Sequence, residues 1–392
     1  MNILFYVTCT PSPFNGGIER VSYILAKEFT KYHHVCYCIY FREIDTNYIS
    51  DVYKKTYHIP YNQSNSLEKV REIIKNNNIH VVLNQVGGFW DIGQVLIELR
   101  KAINFQLFTT YHSNPIENHY ILNDRFSKTN NFREAIYSIL YHICPIIVKY
   151  RIAYLKRRLF TNEIQGSDKY LFLSQAYKNN IIKQYKIKNF PQLTYLPNPL
   201  TFNYFFPIKD YNAIKKKQVL IVARFDELYK RLSKALSIWK SLEQYGYNGW
   251  ELIIIGHGKD ESFYKKMINE LKIQEVVIKG KASPEPFYQE ASIFLMTSTL
   301  EGWPMTLQEA MQYGCVPIAF NTFDAVNEII QNEENGYIVQ DNNDTLYRDK
   351  LIELMTNPKK RIRMAENAIE SRKKYSVDQI VPYWIHMMNN KL

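Results

Sequence analysis

Residues 297–317, TSTLEGWPMTLQEAMQYGCVP, give the clearest indication of the fold class. In this stretch a short apolar strand pattern is followed by a loop and then by a helical pattern. That order is typical of a βα unit. Glu301 lies in the loop, and Glu309 lies about one turn inside a helix that we expect to begin near Met305. Both carboxylates can therefore approach one elongated ligand at different points. Two glutamates at this spacing also occur on ordinary solvated helix faces, so the pair alone is weak evidence.

The first turn of this helix offers a binding site for an anion. The backbone N–H groups of Met305, Thr306 and Leu307 lie ahead of the helical hydrogen-bond ladder, beside the positive end of the helix dipole. A diphosphate fits such a helix start. A carboxylate accepts two hydrogen bonds at once, which suits sugar hydroxyls. The stretch therefore predicts a ligand that carries both a diphosphate and a sugar.

The same alternation of strand and helix patterns runs outward over the whole chain. A length of 392 residues with 46% hydrophobic residues predicts two globular domains. Short β-rich runs alternate with longer helical patterns, which is typical of repeated βα units around parallel sheets. The expected strands lie at residues 2–8, 34–40, 79–83, 105–110 and 169–173, and then at 218–223, 251–255, 275–279, 292–296 and 316–320.

A change of composition separates the two sets of strands. Residues 196–217 contain three prolines followed by three consecutive lysines, which is the composition of a linker. We therefore expect a first domain at 1–205 and a second at 206–375. An amphipathic segment at 377–389 is expected to form a helix that returns to the first domain, so that this domain also includes 376–392.

A second polar string, VARFDELYK, carries two cations at the start of the second domain. Arg224 ends the first strand of this domain, and Lys230 opens the next helix six residues later. Arginine offers a fixed fork for phosphate oxygens and lysine a mobile point charge, so together they can neutralise charge that grows on a leaving diphosphate. The alternative interpretation is two solvated cations at a strand end.

Two loops of the first domain and two of the second complete the set of candidate sites. Gly16 and Gly17, in PFNGGIERV, follow the first strand and precede a helix, where glycine permits close backbone approach to a ligand. His112, in TTYHSNP, follows a strand at the carboxyl edge where doubly wound sheets bind ligands. Each also has an ordinary structural interpretation, a tight turn or a structural hydrogen bond. The glycine-containing loops of the second domain follow its second and third strands, at Gly256, Gly258 and Gly280.

Together these strings resemble family 4 of the retaining glycosyltransferases, also described as glycosyl transferases group 1. The resemblance is strongest over residues 219–338 and faint over residues 114–168. It implies an α/β protein of the GT-B fold, with two doubly wound Rossmann-like domains facing each other across a cleft that holds the site, and a C-terminal helix crossing back to the first domain. Trp303 and Pro304 replace the phenylalanine and glycine that are commoner in the family, and Arg231 replaces a small residue.

The resemblance also implies a role for each motif. The first glutamate contacts the donor sugar and the second the ribose, the cations and the helix start stabilise the departing diphosphate, and the histidine lies against the donor sugar. The residues carried over as catalytic are His112, Glu301, Arg224 and Lys230. Those carried over as donor-binding are Gly16, Gly17, Gly256, Gly258, Lys279, Gly280, Met305, Thr306, Leu307 and Glu309. Spacing does not decide whether Glu301 acts as a covalent nucleophile.

The implied activity is transfer of a hexosyl group from a UDP- or GDP-sugar with retention of configuration, without a metal or another cofactor. The acceptor would be a glycan or a lipid-linked intermediate of a bacterial capsule, exopolysaccharide or lipopolysaccharide. A sugar-nucleotide epimerase or hydrolase on the same fold is the first alternative. The net charge of +11 raises a second alternative, a nucleic-acid-binding protein, which lacks a recognition motif here. No G-x-G-x-x-G string occurs in the first glycine loop, which argues against a nicotinamide dehydrogenase.

Location is predicted from cysteines, charge and apolar runs. Five scattered cysteines, with no CxxC pair, fit a reduced cytoplasmic setting. We find no signal-peptide pattern and no uncharged apolar run long enough for a membrane span. Residues 131–161 form a basic amphipathic pattern suited to an anionic surface on the inner face of a membrane. A helix packed on its own domain is the alternative interpretation of this pattern.

Overall fold

The structure is a computed structural model that describes residues 1–60, 66–116, 143–247 and 249–390. These residues form two compact units, each built around one parallel sheet. Within the described residues, the first unit contains 1–116, 143–201 and 375–390, and the second contains 202–247 and 249–374. The strands are β1 Asn2–Cys9, β2 Val35–Arg42, β3 Lys55–His58, β4 Val81–Asn84, β5 Gln106–Tyr111, β6 Lys169–Phe172, β7 Leu193–Tyr195, β8 Gln218–Val222, β9 Glu251–Ile255, β10 Val276–Gly280, β11 Ile293–Met296, β12 Val316–Phe320 and β13 Tyr337–Val339.

The first sheet has the order β3-β2-β1-β4-β5-β6-β7, with every pair parallel. From β1 the chain moves outward in one direction to β3, then returns to β4 and continues in the other direction. The central strands are nearly continuous apolar runs because helices cover both faces of such a sheet. The order of strands therefore reverses between β1 and β4, and doubly wound sheets bind ligands at the carboxyl ends of the strands at this switch point.

The second sheet follows the same rule, with the order β10-β9-β8-β11-β12-β13 and parallel pairing throughout. Its switch point lies between β8 and β11. Its core combines the apolar strand residues with two fully buried tryptophans, Trp239 and Trp250. The two sheets confirm the predicted fold class of two doubly wound Rossmann-like domains.

Helices connect the strands in both units. They are α1 Gly17–Lys31, α2 Ser66–Asn76, α3 Trp90–Arg100, α4 Pro145–Gly166, α5 Gln175–Tyr185, α6 Tyr211–Ile214, α7 Glu227–Lys230, α8 Leu232–Lys240, α9 Glu261–Glu270, α10 Glu285–Glu290, α11 Met305–Gln312, α12 Val326–Ile329, α13 Asp344–Thr356, α14 Pro358–Arg372 and α15 Val377–Asn389. Short 3-10 turns lie at Ile208–Asp210, Glu243–Tyr245 and Lys373–Tyr375. Among the described helices, none is both long and apolar enough to cross a membrane.

The C-terminal helix α15 belongs to the first unit, where it contacts α1. It buries Ile380, Val381, Trp384 and Met388 along one stripe, which is the period of an amphipathic helix. The predicted return of this helix to the first domain is thereby confirmed.

The boundary between the units lies between residues 201 and 202, four residues before the predicted one. The chain after it is part of the second unit, because Phe206 and Tyr211 are buried in that unit's core. Phe206 N also donates to Gln312 O at 3.2 Å. The proline- and lysine-rich composition of residues 196–217 therefore coincides with chain that packs on the second sheet.

Candidate active site

Two of the polar strings lie at the switch point of the second sheet. The string with Arg224 and Lys230 follows β8, and the loop with Glu301 follows β11. These two strands are neighbours from which the chain departs in opposite directions, so their carboxyl ends leave room for a ligand. The fold alone thus brings the two strings to one edge of the sheet.

Hydrogen bonds between the two loops fix their relative position. Thr297 Oγ1 donates to the backbone oxygen of Lys230 at 3.0 Å, or to that of Arg231 at 3.0 Å. Thr299 N donates to Tyr229 O at 2.9 Å. The threonines of the TSTLEG string therefore hold the backbone around Lys230 beside the loop that carries Glu301.

The Lys230 and Glu301 side chains form an ion pair at the centre of this edge. Lys230 Nζ lies 2.5 Å from Glu301 Oε1, and the two side chains are 22% and 11% exposed. The pair presents an ammonium group and a carboxylate at one point. Such a pair can offer the cation to phosphate oxygens and the carboxylate to hydroxyl groups of the same ligand.

The residue after Lys230 has a left-handed backbone that explains the small residue usual in the family. Arg231 has φ +46°, a conformation that favours glycine. Here the arginine is held by its own contacts instead. Its Nε donates to Thr297 O at 2.9 Å and its Nη2 to Asp341 Oδ1 at 2.8 Å, and its guanidinium lies 5.3 Å from the centre of the Phe320 ring.

Arg224 lies at the same edge but has a different partner from Lys230. Its Nη2 is 3.4 Å from Asp226 Oδ2, and the side chain is 65% exposed. Lys259 Nζ approaches the other oxygen of Asp226 at 3.2 Å. The structure therefore groups a second cation, Lys259, with Arg224. Sequence reasoning did not single out Lys259, although it follows directly after the glycine-containing loop of residues 256–258.

The glycines of that loop let it lie against the strand end that carries Arg224. A Cβ atom on Gly256 would lie 1.8 Å from the backbone oxygen of Ala223, and one on Gly258 would lie 2.3 Å from that of Phe225. Gly256 also has φ +149°. These two glycines have a packing role, and their contact with a donor stays a prediction. Gly280, with φ +71° and open space around its Cα, accepts from Gly256 N at 2.9 Å.

Helix α11 starts directly after the Glu301 loop, as predicted. Pro304 precedes it with φ −65° and ψ 107°, and the first bond of its ladder runs from Gln308 N to Pro304 O at 3.3 Å. The amides of Met305, Thr306 and Leu307 lie ahead of that bond. No three His, Cys, Asp or Glu side chains in the part of the chain that the structure describes are placed to share a metal ion. The groups that this edge offers to an anion include the Lys230 ammonium and the helix-start amides.

Glu309 lies inside the protein rather than on an open surface. It is 0% exposed, and its Oε2 accepts a hydrogen bond from Tyr288 Oη at 2.8 Å. Contact with a ribose, which stays a prediction, requires this buried pair to open toward the ligand. Tyr288, on α10, is a partner that sequence reasoning missed, because nothing in its neighbourhood distinguishes it from the many other tyrosines.

His112 follows β5 in the first unit and contacts a residue that follows β4. Its Nε2 lies 2.6 Å from Gln85 Oε1. Burial lowers the pKa of His112 to about 3, so the imidazole is neutral at pH 7. Gln85, which is 1% exposed, was not predicted from the sequence. Its position directly after a buried strand at the switch point was the only signal available.

The glycine loop after β1 is held by a buried carboxylate. Glu19 is 3% exposed and accepts from Cys9 N at 3.1 Å. A Cβ atom on Gly16 would lie 2.6 Å from Glu19 Oε2, whereas one on Gly17 would meet nothing within 4 Å. Glu19 therefore ties the start of α1 to the end of β1, and Gly17 keeps open space beside the first amides of the helix.

Part of the chain matches a family model, and two similar proteins are named as glycosyltransferases. Residues 207–371 match the model described as glycosyl transferases group 1. An uncharacterized glycosyltransferase of Haemophilus influenzae is 27% identical over 219 residues, which are 55% of this chain and 60% of the relative. The amylovoran biosynthesis glycosyltransferase AmsD of Erwinia amylovora is 27% identical over 226 residues, or 57% and 62% of the two chains. The chain thus spans about 60% of the length of these relatives.

A solved structure extends the likeness to the whole chain. The pneumococcal O-GlcNAc transferase GtfA, in complex with UDP and GlcNAc, gives a TM-score of 0.74 at 12% identity, covering 99% of this chain and 98% of that one. At this identity the likeness shows the fold alone, which is the GT-B fold. The family model confirms the resemblance to the glycosyl transferases group 1 over residues 207–371.

Proposed function

We propose that this chain, whose residues 207–371 match the glycosyl transferases group 1 model, transfers a hexosyl group from a nucleotide-diphosphate sugar to an acceptor with retention of configuration. The observation that carries the proposal is the ion pair of Lys230 and Glu301 at the switch point, beside the start of α11. A UDP- or GDP-sugar is the proposed donor, with no metal ion or further cofactor. GtfA, whose structure holds UDP, supports a nucleotide ligand for this fold.

The proposed chemistry follows from the charges at this edge. The bond between the anomeric carbon and the β-phosphate oxygen breaks, and its electron pair leaves with the diphosphate. Lys230, Arg224 and the amides at the start of α11 stabilise that negative charge. An acceptor hydroxyl attacks the anomeric carbon from the same face and gives its proton to the departing β-phosphate oxygen, while Glu301 and His112 position the donor sugar. Glu309 holds the ribose once its pair with Tyr288 opens.

The acceptor is proposed to be a lipid-linked or polysaccharide intermediate of a bacterial cell-surface glycan. The name of the Erwinia relative, an amylovoran biosynthesis glycosyltransferase, supports this class. The residues that would select the acceptor lie in the region of faint resemblance, 114–168, of which residues 117–142 are outside the described residues.

The test combines donor binding with turnover. A thermal-shift screen against UDP-, GDP- and ADP-sugars identifies the donor, because a ligand that binds the native state raises the melting temperature. Glu309→Ala, Arg224→Ala and Lys230→Ala are each expected to weaken donor binding or turnover while the chain stays folded. Full activity in all three variants would contradict the assignment. The anomeric configuration of the product, read by NMR, tests retention.

An epimerase or hydrolase on the same fold makes a different prediction. Such an enzyme consumes the nucleotide sugar without any acceptor. Incubating the protein with the donor found in the screen, with and without acceptor, separates the two activities. The proposed transferase releases nucleoside diphosphate rapidly only when acceptor is present.

We also propose that the first unit meets an anionic membrane surface on its cytoplasmic face through the start of α4. Large apolar side chains recur there at helical spacing and are solvent-exposed, including Ile146 and Tyr150 at 78% each. The others are Ile143, Ile147, Tyr154 and Leu155. Exposed apolar side chains beside basic ones suit the boundary between lipid headgroups and acyl chains. Residues 131–142 of the predicted basic region lie outside the described residues.

Positive charge suits an anionic partner for this surface. Lys149 is exposed within the apolar stripe, and the exposed Arg157 and Arg158 follow it. The sole acidic residue of α4, Glu163, is buried. Each basic residue near an anionic surface contributes about 1 kcal/mol to binding. We expect co-sedimentation with phosphatidylglycerol vesicles and none with phosphatidylcholine vesicles.

The double variant Ile146→Ser/Tyr150→Ser is expected to abolish vesicle binding, whereas Phe263→Ser, at an exposed apolar position of the second unit, leaves it unchanged. If Ile146→Ser/Tyr150→Ser binds vesicles like the wild type, the surface is not the contact. A dimer in solution that this variant dissociates, together with no vesicle binding by the wild type, would assign the stripe to a second copy instead.

A further inference from the structure

We propose that Gln85 is a positioning residue that fixes the ring orientation and tautomer of His112, and that the buried Glu163 holds the loop that carries Gln85. The inference rests on the proposed function, in which His112 lies against the donor sugar. It concerns residues on two neighbouring strand ends and on the helix behind them. None of these contacts follows from spacing in the sequence, because Gln85, His112 and Glu163 are far apart along the chain.

The contact between the two side chains defines the roles of the imidazole nitrogens. A neutral imidazole has one N–H donor and one acceptor nitrogen. His112 Nε2 lies 2.6 Å from the amide oxygen of Gln85, and an amide oxygen only accepts. The hydrogen therefore belongs on Nε2, and Nδ1 keeps a lone pair. Nδ1 can then accept a hydrogen bond from a sugar hydroxyl.

Gln85 itself is fixed by its backbone and its surroundings. Its N donates to Tyr6 O at 3.0 Å, which ties it to the adjacent strand β1, and it is 1% exposed. Two residues later, Gly87 N donates to Thr110 O at 3.0 Å. A Cβ atom on Gly87 would lie 2.8 Å from that same oxygen. The loop after β4 is thus pressed against the strand that leads to His112.

Glu163, on α4, closes the loop from behind. Its Oε2 accepts from Gly88 N at 3.0 Å and from Tyr170 Oη at 2.9 Å. The residue is 1% exposed, and burying a carboxylate is unfavourable unless donors surround it. Gly88 has φ +88°, and a Cβ atom there would lie 2.4 Å from the Tyr111 ring. By accepting a hydrogen bond from Gly88 N, the buried Glu163 carboxylate orders the loop after β4.

Three buried polar side-chain atoms lie near the carboxyl ends of β4 and β5. Asn84 Nδ2, Gln85 Nε2 and Thr110 Oγ1 are buried, and no hydrogen-bond partner for them exists among the described residues. Buried polar groups in folded proteins are nearly always paired, with protein, water or a ligand. Asn84 ends β4, Gln85 follows it, and Thr110 lies one residue before the end of β5.

The experiment reads the tautomer directly. Long-range ¹H–¹⁵N spectra of protein labelled at histidine, recorded at pH 8 without ligand, distinguish the two nitrogens of His112. We expect Nε2–H in the wild type and in Gln85→Glu, which keeps an acceptor. Gln85→Met, which keeps size but removes the acceptor, is expected to give a mixture. A wild type with Nδ1–H, or a Gln85→Met spectrum identical to that of the wild type, would overturn the proposal.

Activity gives a second readout with matched controls. With the donor found by thermal shift, Gln85→Met is expected to lower kcat/KM by about 10-fold to 100-fold, the effect of one lost hydrogen bond in a buried site, with an unchanged melting temperature. Gln85→Glu is expected to retain most of the activity. Equal losses in both variants would mean that Gln85 acts only through packing. If the spectra behave as expected while no nucleotide sugar binds, the proposed function fails and the positioning contact stands.

The role of Glu163 is tested through the same spectra. Glu163→Gln keeps an oxygen that accepts from Gly88 N, whereas Glu163→Leu removes it. We expect the wild-type tautomer in Glu163→Gln and a mixture in Glu163→Leu. If Glu163→Leu does not fold, Tyr170→Phe, which removes one of the two donors to Glu163, replaces it, and a mixture is again expected. The wild-type spectrum in every folded variant would remove Glu163 from the proposal.

Discussion

The ion pair of Lys230 and Glu301 joins two segments that hydrogen bonds of Thr297 and Thr299 also hold together. Taking two charges partly out of water is unfavourable, and their attraction in a half-buried setting offsets that only in part. An ion pair of this kind is therefore weak as a stability device, and its place at the switch point is better explained by a ligand. The same reasoning applies to the cations around Asp226, which are mostly exposed.

Replacing Lys230 separates the ligand role from stability. Lys230→Ala is expected to weaken the binding of a nucleoside diphosphate by about 10-fold to 100-fold, since a hydrogen bond to a charged group contributes about 1.5–3 kcal/mol. Lys234→Ala removes the same charge from the next helix, where Lys234 pairs with Asp344, and is expected to leave binding unchanged. Titration calorimetry of both variants checks this, and equal affinities would contradict the role of Lys230.

Glu163 gives the first unit a stability that depends on pH. Burial raises the pKa of Glu163 from 4.5 to about 7, so the folded chain keeps a proton between these values that the unfolded chain releases. The contribution is present below pH 4.5 and is lost as the pH rises to 7. Glu163→Gln does not titrate, so its free energy of unfolding relative to the wild type is expected to rise by up to about 3 kcal/mol across this window. Denaturant titrations from pH 4.5 to 8 measure it, and a constant difference would contradict the assignment.

The strands differ in how well the sequence alone predicts them. The long apolar strands at the centres of both sheets were predicted to within two residues of their ends. The three strands that were missed, β3, β7 and β13, lie at sheet edges, whereas the fourth edge strand, β10, was predicted. An edge strand pairs on one side and is covered less, so it does not need the long apolar run that identifies a central strand.

The same limit explains the site. The loop position of Glu301 and the start of α11 could be predicted because a strand end and a helix start fix them locally. Lys230 was expected to open a helix, but it is the last residue of the short helix α7. Gln85, Tyr288 and Lys259 could not, because their partners come from other parts of the chain and only packing brings them together. The left-handed backbone at Arg231 was likewise not predicted. The small residue that is common at this position in the family is consistent with such a conformation.

Glycines in two helix-approach loops are expected to behave differently when replaced by alanine. Gly256→Ala puts a methyl group within 1.8 Å of Ala223 O and is expected to destabilise the second unit by several kcal/mol. Gly17→Ala meets nothing and is expected to raise stability by up to about 1 kcal/mol, because alanine is the better helix former. Thermal unfolding measures both effects.

The donor contact proposed for Gly17 adds a second expectation for the same variant. If the donor approaches the backbone closely there, Gly17→Ala weakens nucleotide-sugar binding while the melting temperature holds or rises. Unchanged donor affinity would show that this glycine serves only the turn.

The whole chain carries a net charge of +11, and this charge bears on how it finds a surface. Attraction between exposed charges is screened over about 8 Å at physiological salt. Binding to phosphatidylglycerol vesicles is therefore expected to weaken steeply between low and high salt, while the apolar contribution of the α4 stripe stays. Vesicle co-sedimentation over a salt series measures this. Binding that is independent of salt would exclude an electrostatic contribution.

Each unit carries its polar strings at the carboxyl ends of its parallel strands, although the strings differ. In the second unit they offer cations and helix amides, which suit a diphosphate. In the first unit they offer a glycine loop and a neutral histidine, which suit hydroxyl groups. A nucleotide sugar contains groups of both kinds.

The most direct test compares nucleotides that differ by one phosphate. Titration calorimetry with UDP and UMP, and with GDP and GMP, isolates the contribution of the second phosphate at the switch point of the second sheet. One diphosphate is expected to bind at least roughly 10-fold more tightly than its monophosphate, and Lys230→Ala is expected to remove the difference. Equal affinity for diphosphate and monophosphate, or no binding of any nucleotide, would contradict this expectation.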